Sequence, residues 1–224
     1  MLPEGGEEPA VVNKATDYIL PCSQSDPQLD NCIKNSFNHL RPYLAKGLPD
    51  LGVPAVEPLF IDRLVMENSA GPVRVTAAFS NITVMGPSNY TITKIRSDLK
   101  KLRIDMGLVL PRIEITGRYE VSGQVLLFPV RSQGDFWAAF MDVAAIAKIF
   151  GKEIERDSVK YMAAERLLVD FKLRSEAMNQ FLNNNAAEII EEMRPAASQS
   201  IAKHFQAFIN AAFTKIPLDV WLKP

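Results

Sequence analysis

A chain of 224 residues that is 47% hydrophobic can bury one sizeable core, or two small ones. Its 25 basic and 26 acidic residues are scattered and nearly balance, so there is no basic stripe of the kind a phosphate backbone requires, and nucleic acid is not an expected partner. The most apolar stretches, 121–130 and 136–141, fall far short of the roughly 20 residues that span a bilayer.

The chain opens Met1-Leu2-Pro3-Glu4-Gly5, without the basic and apolar regions of a signal peptide, and is read as a mature form restarted with methionine. Residues 1–20 are expected to form a tail. Cys22 and Cys32 follow, the only cysteines in the sequence. A zinc site needs about four Cys or His ligands, and the two histidines, His39 and His204, are distant and isolated. No metal and no cofactor are expected. Two readings of the cysteines remain, a pair of buried thiols or a short-loop disulfide. Asp26 and Pro27 make a helix start, and Leu29, Cys32, Ile33, Phe37, Leu40 and Leu44 recur at three- and four-residue steps. One amphipathic helix is therefore predicted over 26–46, ending near Gly47, with Cys32 on its apolar face.

From 53 to 174 the pattern changes to period two, as in Val73-Arg74-Val75-Thr76-Ala77 and Lys101-Leu102-Arg103-Ile104-Asp105-Met106. Turns are expected at Ser69-Ala70-Gly71-Pro72, Gly86-Pro87-Ser88-Asn89 and Val121-Ser122-Gly123. With no helical pattern between them, the strands should form a largely antiparallel sheet. Asn81-Ile82-Thr83 and Asn89-Tyr90-Thr91 are two glycan acceptor sequons. Together with the cysteine pair they favour the secretory pathway, and in that compartment a disulfide becomes the favoured reading. It would staple the incoming tail to the helix, contributing about 2–3 kcal/mol in the chain-entropy model.

Phe136-Trp137-Ala138-Ala139-Phe140-Met141 is apolar on both faces, as a strand in the middle of a structure is. It reads first as a covered core strand and second as one wall of a cavity. A helical segment is predicted over 176–216, where Ala186, Ile190, Met193, Ala197, Ile201, Phe205, Phe208 and Ala212 repeat at helical spacing. Its long helix covers about 28 residues, roughly 40 Å at 1.5 Å per residue. Pro195 should kink it or set off its first turns. The breadth of its apolar stripe requires that a sheet wrap much of its circumference.

Three stretches carry a family resemblance. They are Asn81-Ile82-Thr83-Val84-Met85-Gly86-Pro87-Ser88-Asn89, then Gly117-Arg118-Tyr119-Glu120 with Gly123-Gln124-Val125-Leu126-Leu127-Phe128-Pro129-Val130, and Phe181-Leu182-Asn183-Asn184-Asn185 followed by Glu188-Ile189 and Lys215-Ile216-Pro217. In order and spacing they resemble the insect takeout and juvenile-hormone-binding protein family, and the single cysteine pair is closer to the takeout branch. Ser132 and Ala186 depart from that pattern, standing where a glycine and a tryptophan are usual.

The resemblance implies an α+β fold forming a single domain over 1–224: a long carboxy-terminal helix wrapped by a strongly curved antiparallel sheet, enclosing an elongated apolar tunnel. It implies a secreted, monomeric carrier of a hydrophobic, elongated small molecule, with no catalysis. The residues expected on the tunnel wall are Phe79, Phe128, Trp137, Phe140, Met141, Ile201, Phe205 and Phe208. Two other readings stand beside it. A secreted ester hydrolase would draw on Gly86-Pro87-Ser88-Asn89-Tyr90, which lacks the last glycine of a nucleophile elbow and lies between two strands. A protein-interaction module would dock through an exposed apolar face. Glu188, Glu191 and Glu192 suit a helix start and read as a solvated face. Lys94, Arg96, Lys100, Lys101 and Arg103 form the densest basic stretch, read as solvated, with transient contact to an anionic membrane as the second possibility.

Secretion predicts glycan on at least one of Asn81 and Asn89 when the chain is expressed through a eukaryotic secretory pathway. Intact mass of protein from insect-cell medium checks this, and an unshifted mass would show both sites unoccupied.

Overall fold

The computed structural model describes residues 17–173, 175–178 and 186–224. In chain order these form β1 (Cys22–Ser23), α1 (Leu29–His39), α2 (Arg41–Lys46), β2 (Leu59–Asn68), β3 (Val73–Met85), β4 (Thr91–Asp98), β5 (Arg103–Val125), β6 (Phe128–Arg156), β7 (Val159–Lys172), β8 (Ser175–Met178), α3 (Ala186–Phe213), α4 (Leu218–Trp221) and β9 (Leu222–Lys223). The main sheet is antiparallel with order β2-β3-β5-β6-β7; β4 continues the row of β3 along β5, and β8 continues the row of β7 along β6. It curves around the long helix α3, an α+β arrangement of one sheet and one covering helix.

Several elements differ from the periodicity. The helix predicted over 26–46 starts at Leu29 and breaks at Leu40. Asp26 caps the preceding turn instead, its Oδ1 accepting the Gln28 N–H at 2.7 Å. Pro42 explains the break: it has no N–H for the Asn38 carbonyl, and its ring clashes with that turn. Residues 121–123 form no turn. They lie inside β5, and the chain reverses at Leu126-Leu127 between Val125 and Phe128. Gly123 serves a close approach there, since at φ 145° an added Cβ would lie 2.3 Å from the Arg74 carbonyl oxygen. Residues 175–178 are a strand paired with β6 and not part of the helical segment. α3 runs through Pro195 without interruption. The motif at 181–185 lies outside the described residues.

The long strands change which of their faces is apolar. β5 directs Ile104, Met106 and Leu108 into one cluster and, beyond Pro111, Ile113 and Ile115 into another, a shift from even to odd positions. On β6 the corresponding residue is Asp142, with φ 49°, flanked by the pairs Leu110–Val143 and Arg112–Met141. Proline cannot donate to the ladder, so the rung is relaxed where the faces exchange. β3 makes the same exchange through a bulge. Val73, Val75 and Ala77 are buried before it, Ile82 and Val84 after it, and Asn81 sits at the bulge with φ 51°. Both faces of a strongly coiled sheet thus meet the core in turn.

α3 is fastened to both edges of that sheet. Ser200 Oγ donates to the Val65 carbonyl of β2 at 2.7 Å. On the other side β7 carries a bulge at Glu165, and Asn210 meets the freed backbone: its Oδ1 accepts the Ala164 N–H at 2.7 Å and its Nδ2 donates to the Ala164 carbonyl at 3.0 Å. Gln206 Nε2 donates to the Glu165 carbonyl at 2.8 Å. Edge strands otherwise leave such groups to water or to another chain. α1 covers β4 the same way, with Asn38 Oδ1 accepting the Ile92 N–H and Asp30 Oδ1 accepting the Ser97 N–H.

Cys22 and Cys32 are disulfide-bonded. β1 pairs in parallel with β9, placing Cys22 beside Leu222, so the bridge holds the incoming chain, α1 and the carboxy-terminal strand at one point. Buried beside it are Ile33, Ile104, Ile149 and Met162.

Asn210→Ala leaves the Ala164 N–H without its acceptor, while Gln206 Nε2 still donates to the Ala164 carbonyl at 3.1 Å, and is expected to lower unfolding stability by about 1–2 kcal/mol, with an unchanged denaturant slope. Gln199→Ala, on the exposed side of α3, should change it by less than about 0.5 kcal/mol. Equal effects in urea titrations would show that the Asn210 bonds do not hold the helix.

Candidate ligand-binding site

At 100° per residue, the exposed residues Gln199, Lys203 and Ala207 define the outer side of α3, and Ser198, Ile201, Phe205, Phe208 and Ala212 point the opposite way, toward the sheet. The flanks pack on the sheet's margins. Ala202 and Ile209 join Met162, Ala164 and Leu167 of β7, and Met193 and Ala196 join Val73, Val75 and Ala77 of β3.

Register identifies what faces the helix. Leu59, Val84, Ile115 and Ala138 form one row across β2, β3, β5 and β6; Ile113 pairs with Phe140 on one side of it, and Ile61 with Ile82 on the other. Phe205 packs against this cluster and also against the one containing Ile104 and Ile149, so it bridges the two halves of the interior. Phe79 meets Phe136 edge-on, with ring centroids 5.3 Å apart. Gly117 makes room for that contact: an added Cβ would lie 3.0 Å from both the Phe136 ring and the Ser80 carbonyl oxygen at the bulge.

Burial in this layer is uneven. Leu59, Ala138, Ile82 and Val84 are buried. Phe79, Ile113, Ile115, Phe136, Phe140, Ile201 and Phe205 are only half-buried, although they lie on the sides where sheet and helix face each other.

The expected wall residues separate accordingly. Phe79 and Phe205 pack on one cluster, and Phe140, paired with Ile113, and Ile201 are directed toward the same layer. Phe208 meets Phe205 with ring centroids 5.9 Å apart and also packs against Tyr18, Ile19, Leu48, Leu51, Val53 and Ile216. Trp137 and Met141 are not on the helix side. They pair with Thr116 and Arg112, and two-residue alternation places them opposite Phe136 and Phe140; Met141 Sδ lies 3.9 Å from Arg112 Nη1. Phe128 is 71% exposed, at the tip of the β5–β6 hairpin. For Trp137 and Met141 the cause is that an apolar run conceals the parity of its strand, and Phe136 was missed for the same reason. Ile113 and Ile115 alternate with Arg112, Glu114 and Thr116, so their shared face was readable from the sequence.

Ser198 is a further residue not anticipated. It is 9% exposed, and its hydroxyl finds no partner among the described residues. The signal in the sequence was a hydroxyl three residues before Ile201 on an otherwise apolar stripe. Burial also pushes the His204 imidazole below its usual pKa, favouring the neutral form, beside Phe205 at 5.6 Å.

Ser88, the serine of the hydrolase reading, lies in the turn between β3 and β4, bonded to Glu57. The Glu57 carboxylate accepts the Gly86 N–H at 2.8 Å and the Ser88 hydroxyl at 2.8 Å, which fixes the turn between β3 and β4. In the basic stretch, Arg103 pairs with Asp105 at 2.7 Å and Lys101 with Asp98 at 3.8 Å. A surface hollow of about 310 Å³ beside Lys100, Lys101, Lys152, Leu218 and Leu222 is separate from the helix–sheet interior. Both sequon asparagines, Asn81 and Asn89, are exposed. Among the described residues, no helix is long and apolar enough to cross a membrane.

Known proteins share this arrangement. The chain is similar over 91% of its length to 99% of takeout 1 from Epiphyas postvittana, with a TM-score of 0.76 at 19% identity, a likeness of fold. It is 21% identical over 236 residues to the circadian clock-controlled protein daywake of Drosophila yakuba, covering 95% of this chain and 91% of that one. With the Drosophila melanogaster daywake it is 20% identical, over 93% and 89%. The model of the haemolymph juvenile hormone binding protein family matches residues 8–176 and 173–223, and with that match across nearly its whole length the chain belongs to this family of ligand-binding carriers.

Proposed function

We propose that the chain is a secreted carrier that holds one elongated hydrophobic molecule, such as a lipid or a terpenoid, between α3 and the inner face of the sheet, and that it performs no chemistry on it. One observation carries the reading: large apolar side chains that face each other across the helix–sheet layer keep accessible surface. A close-packed interior buries such side chains fully, so the layer has room for apolar guest atoms. Membership of a family described as haemolymph juvenile hormone binding supports both the ligand class and an extracellular setting.

The energetics suit passive binding. An apolar guest burying about 400 Å² gains roughly 10 kcal/mol at 25 cal/mol per Å². Lost translation and ordering offset about 4 kcal/mol or more of that, so this area alone supports affinities of about tens of micromolar or weaker, and a longer guest binds more tightly. Ser198 supplies the polar contact. A guest with a hydroxyl, ester or carbonyl group at that depth satisfies the orphaned hydroxyl and fixes the direction in which the molecule lies.

A displaceable fluorescent lipid tests this. Ile201→Trp should fill part of the space and weaken binding about tenfold or more while the fold survives. Phe205→Ala should change which chain lengths bind, and cost less than the about 3–5 kcal/mol of a phenylalanine truncated in a filled core. In unliganded protein, Ser198→Ala should be neutral or stabilising by up to about 1 kcal/mol, because it removes a buried group without a partner. If these variants bind the probe as the parent does and differ only in melting temperature, the layer is ordinary core.

A further inference from the structure

The tip of the β5–β6 hairpin breaks the usual chemistry of a turn. Two-residue hairpin turns favour Gly, Asn or Asp, because at least one position takes positive φ. Here both positions are leucine, and Leu126 adopts φ 56°. With Phe128 they make three consecutive large apolar side chains, exposed to 59%, 84% and 71%. Such an apex is disfavoured twice, by backbone conformation and by contact with water. It is also held in place: the Leu126 N–H donates to the Pro72 carbonyl of the β2–β3 turn at 2.6 Å, and Val73 beneath it is buried in the core.

We propose that this apex is a membrane-docking prong that inserts into the interfacial region of a lipid bilayer. Area and shape select a bilayer over a protein partner. Three side chains offer about 400 Å² of apolar surface at most, against the about 800 Å² per partner of a stable protein interface. A convex tip of two strands enters a fluid interface without requiring a matching groove. Charge at the tip is mixed: two arginines lie behind it, and the Glu192 carboxylate lies against Gly71 in the adjoining β2–β3 turn. Exposed Arg74 lies one rung behind the tip and exposed Arg131 three; Glu67 shares the rung of Arg131 but sits on β2, three strands across the sheet. The sequon residue Asn81 lies eight residues along β3 from Val73, roughly 25 Å away, so a glycan there clears the bilayer. The basic stretch at Lys100 and Lys101 is near the disulfide end and plays no part. The tip adjoins Met193 and Ala196, where α3 enters the sheet, which places docking at one end of the helix–sheet layer. Docking goes beyond the carrier reading and does not depend on it, because the prong would bind vesicles whether or not the interior holds a guest.

Flotation of the full chain with phosphatidylcholine vesicles containing about one part in five phosphatidylserine tests the proposal. The parent chain should float. A triple variant, Leu126→Ser, Leu127→Ser and Phe128→Ser, should lose about tenfold or more of its partitioning while keeping its melting temperature and its binding of a fluorescent lipid. Lys100→Glu with Lys101→Glu should float as the parent does. In a separate variant, Leu127→Trp, the indole emission should shift to the blue when vesicles are added. A parent chain that stays with the buffer would overturn the proposal. So would a triple variant that floats as well as the parent, or loss of flotation on changing the two lysines.

Discussion

The structure depends on one constraint: a single helix is hydrogen-bonded to both edges of the sheet that covers it. Ser200 takes the β2 edge, and Asn210 with Gln206 takes the bulged β7 edge. These bonds set the distance between the sheet's margins, so the sheet must coil around the helix. The margins then fill with Met193, Ala196 and Ala202 against strand residues. The middle does not fill in the same way. Phe205 reaches two clusters at once and remains half-buried, as expected where the walls are held apart at their rims.

Curvature of this degree needs devices in the strands themselves. Pro111 opposite Asp142, the bulge at Asn81 and the bulge at Glu165 let the sheet turn its apolar side inward along its whole length. Gly117 and Gly86 allow backbone to approach where a side chain would collide; at Gly86 an added Cβ would lie 2.2 Å from the Arg112 carbonyl oxygen. The curvature of the sheet around Phe205 therefore comes from backbone features far from that side chain. On the proposed reading, a guest between α3 and the sheet would link the stability of the protein to its occupancy.

Much of this was legible in the sequence. Period-two alternation announced the antiparallel sheet, the broad three- and four-residue stripe announced a long wrapped helix, and the motif order pointed to the family. The wall residues were only partly readable. Ile201 and Phe205 lie on a helix, where 100° steps separate inside from outside, and both face the sheet. Trp137 and Phe140 lie in a run apolar on both faces, so composition carried no parity, and the register alone shows that they point apart. Phe128 looked like a wall residue because aromatic side chains usually bury; the turn that exposes it lacks the glycine and asparagine that normally mark a reversal. The break at Leu40 was available from Pro42 but was outweighed by unbroken apolar spacing on either side.

A guest between α3 and the sheet can be located directly in a crystal of the protein grown with a brominated long-chain alcohol, by the anomalous scattering of the bromine. One principal peak is expected between α3 and the inner face, within contact distance of Ile201, Phe205, Ile113 and Phe140. Bromine found only in surface hollows such as the one beside Lys100 and Leu222, with Phe205 closed over by its neighbours, would contradict that placement.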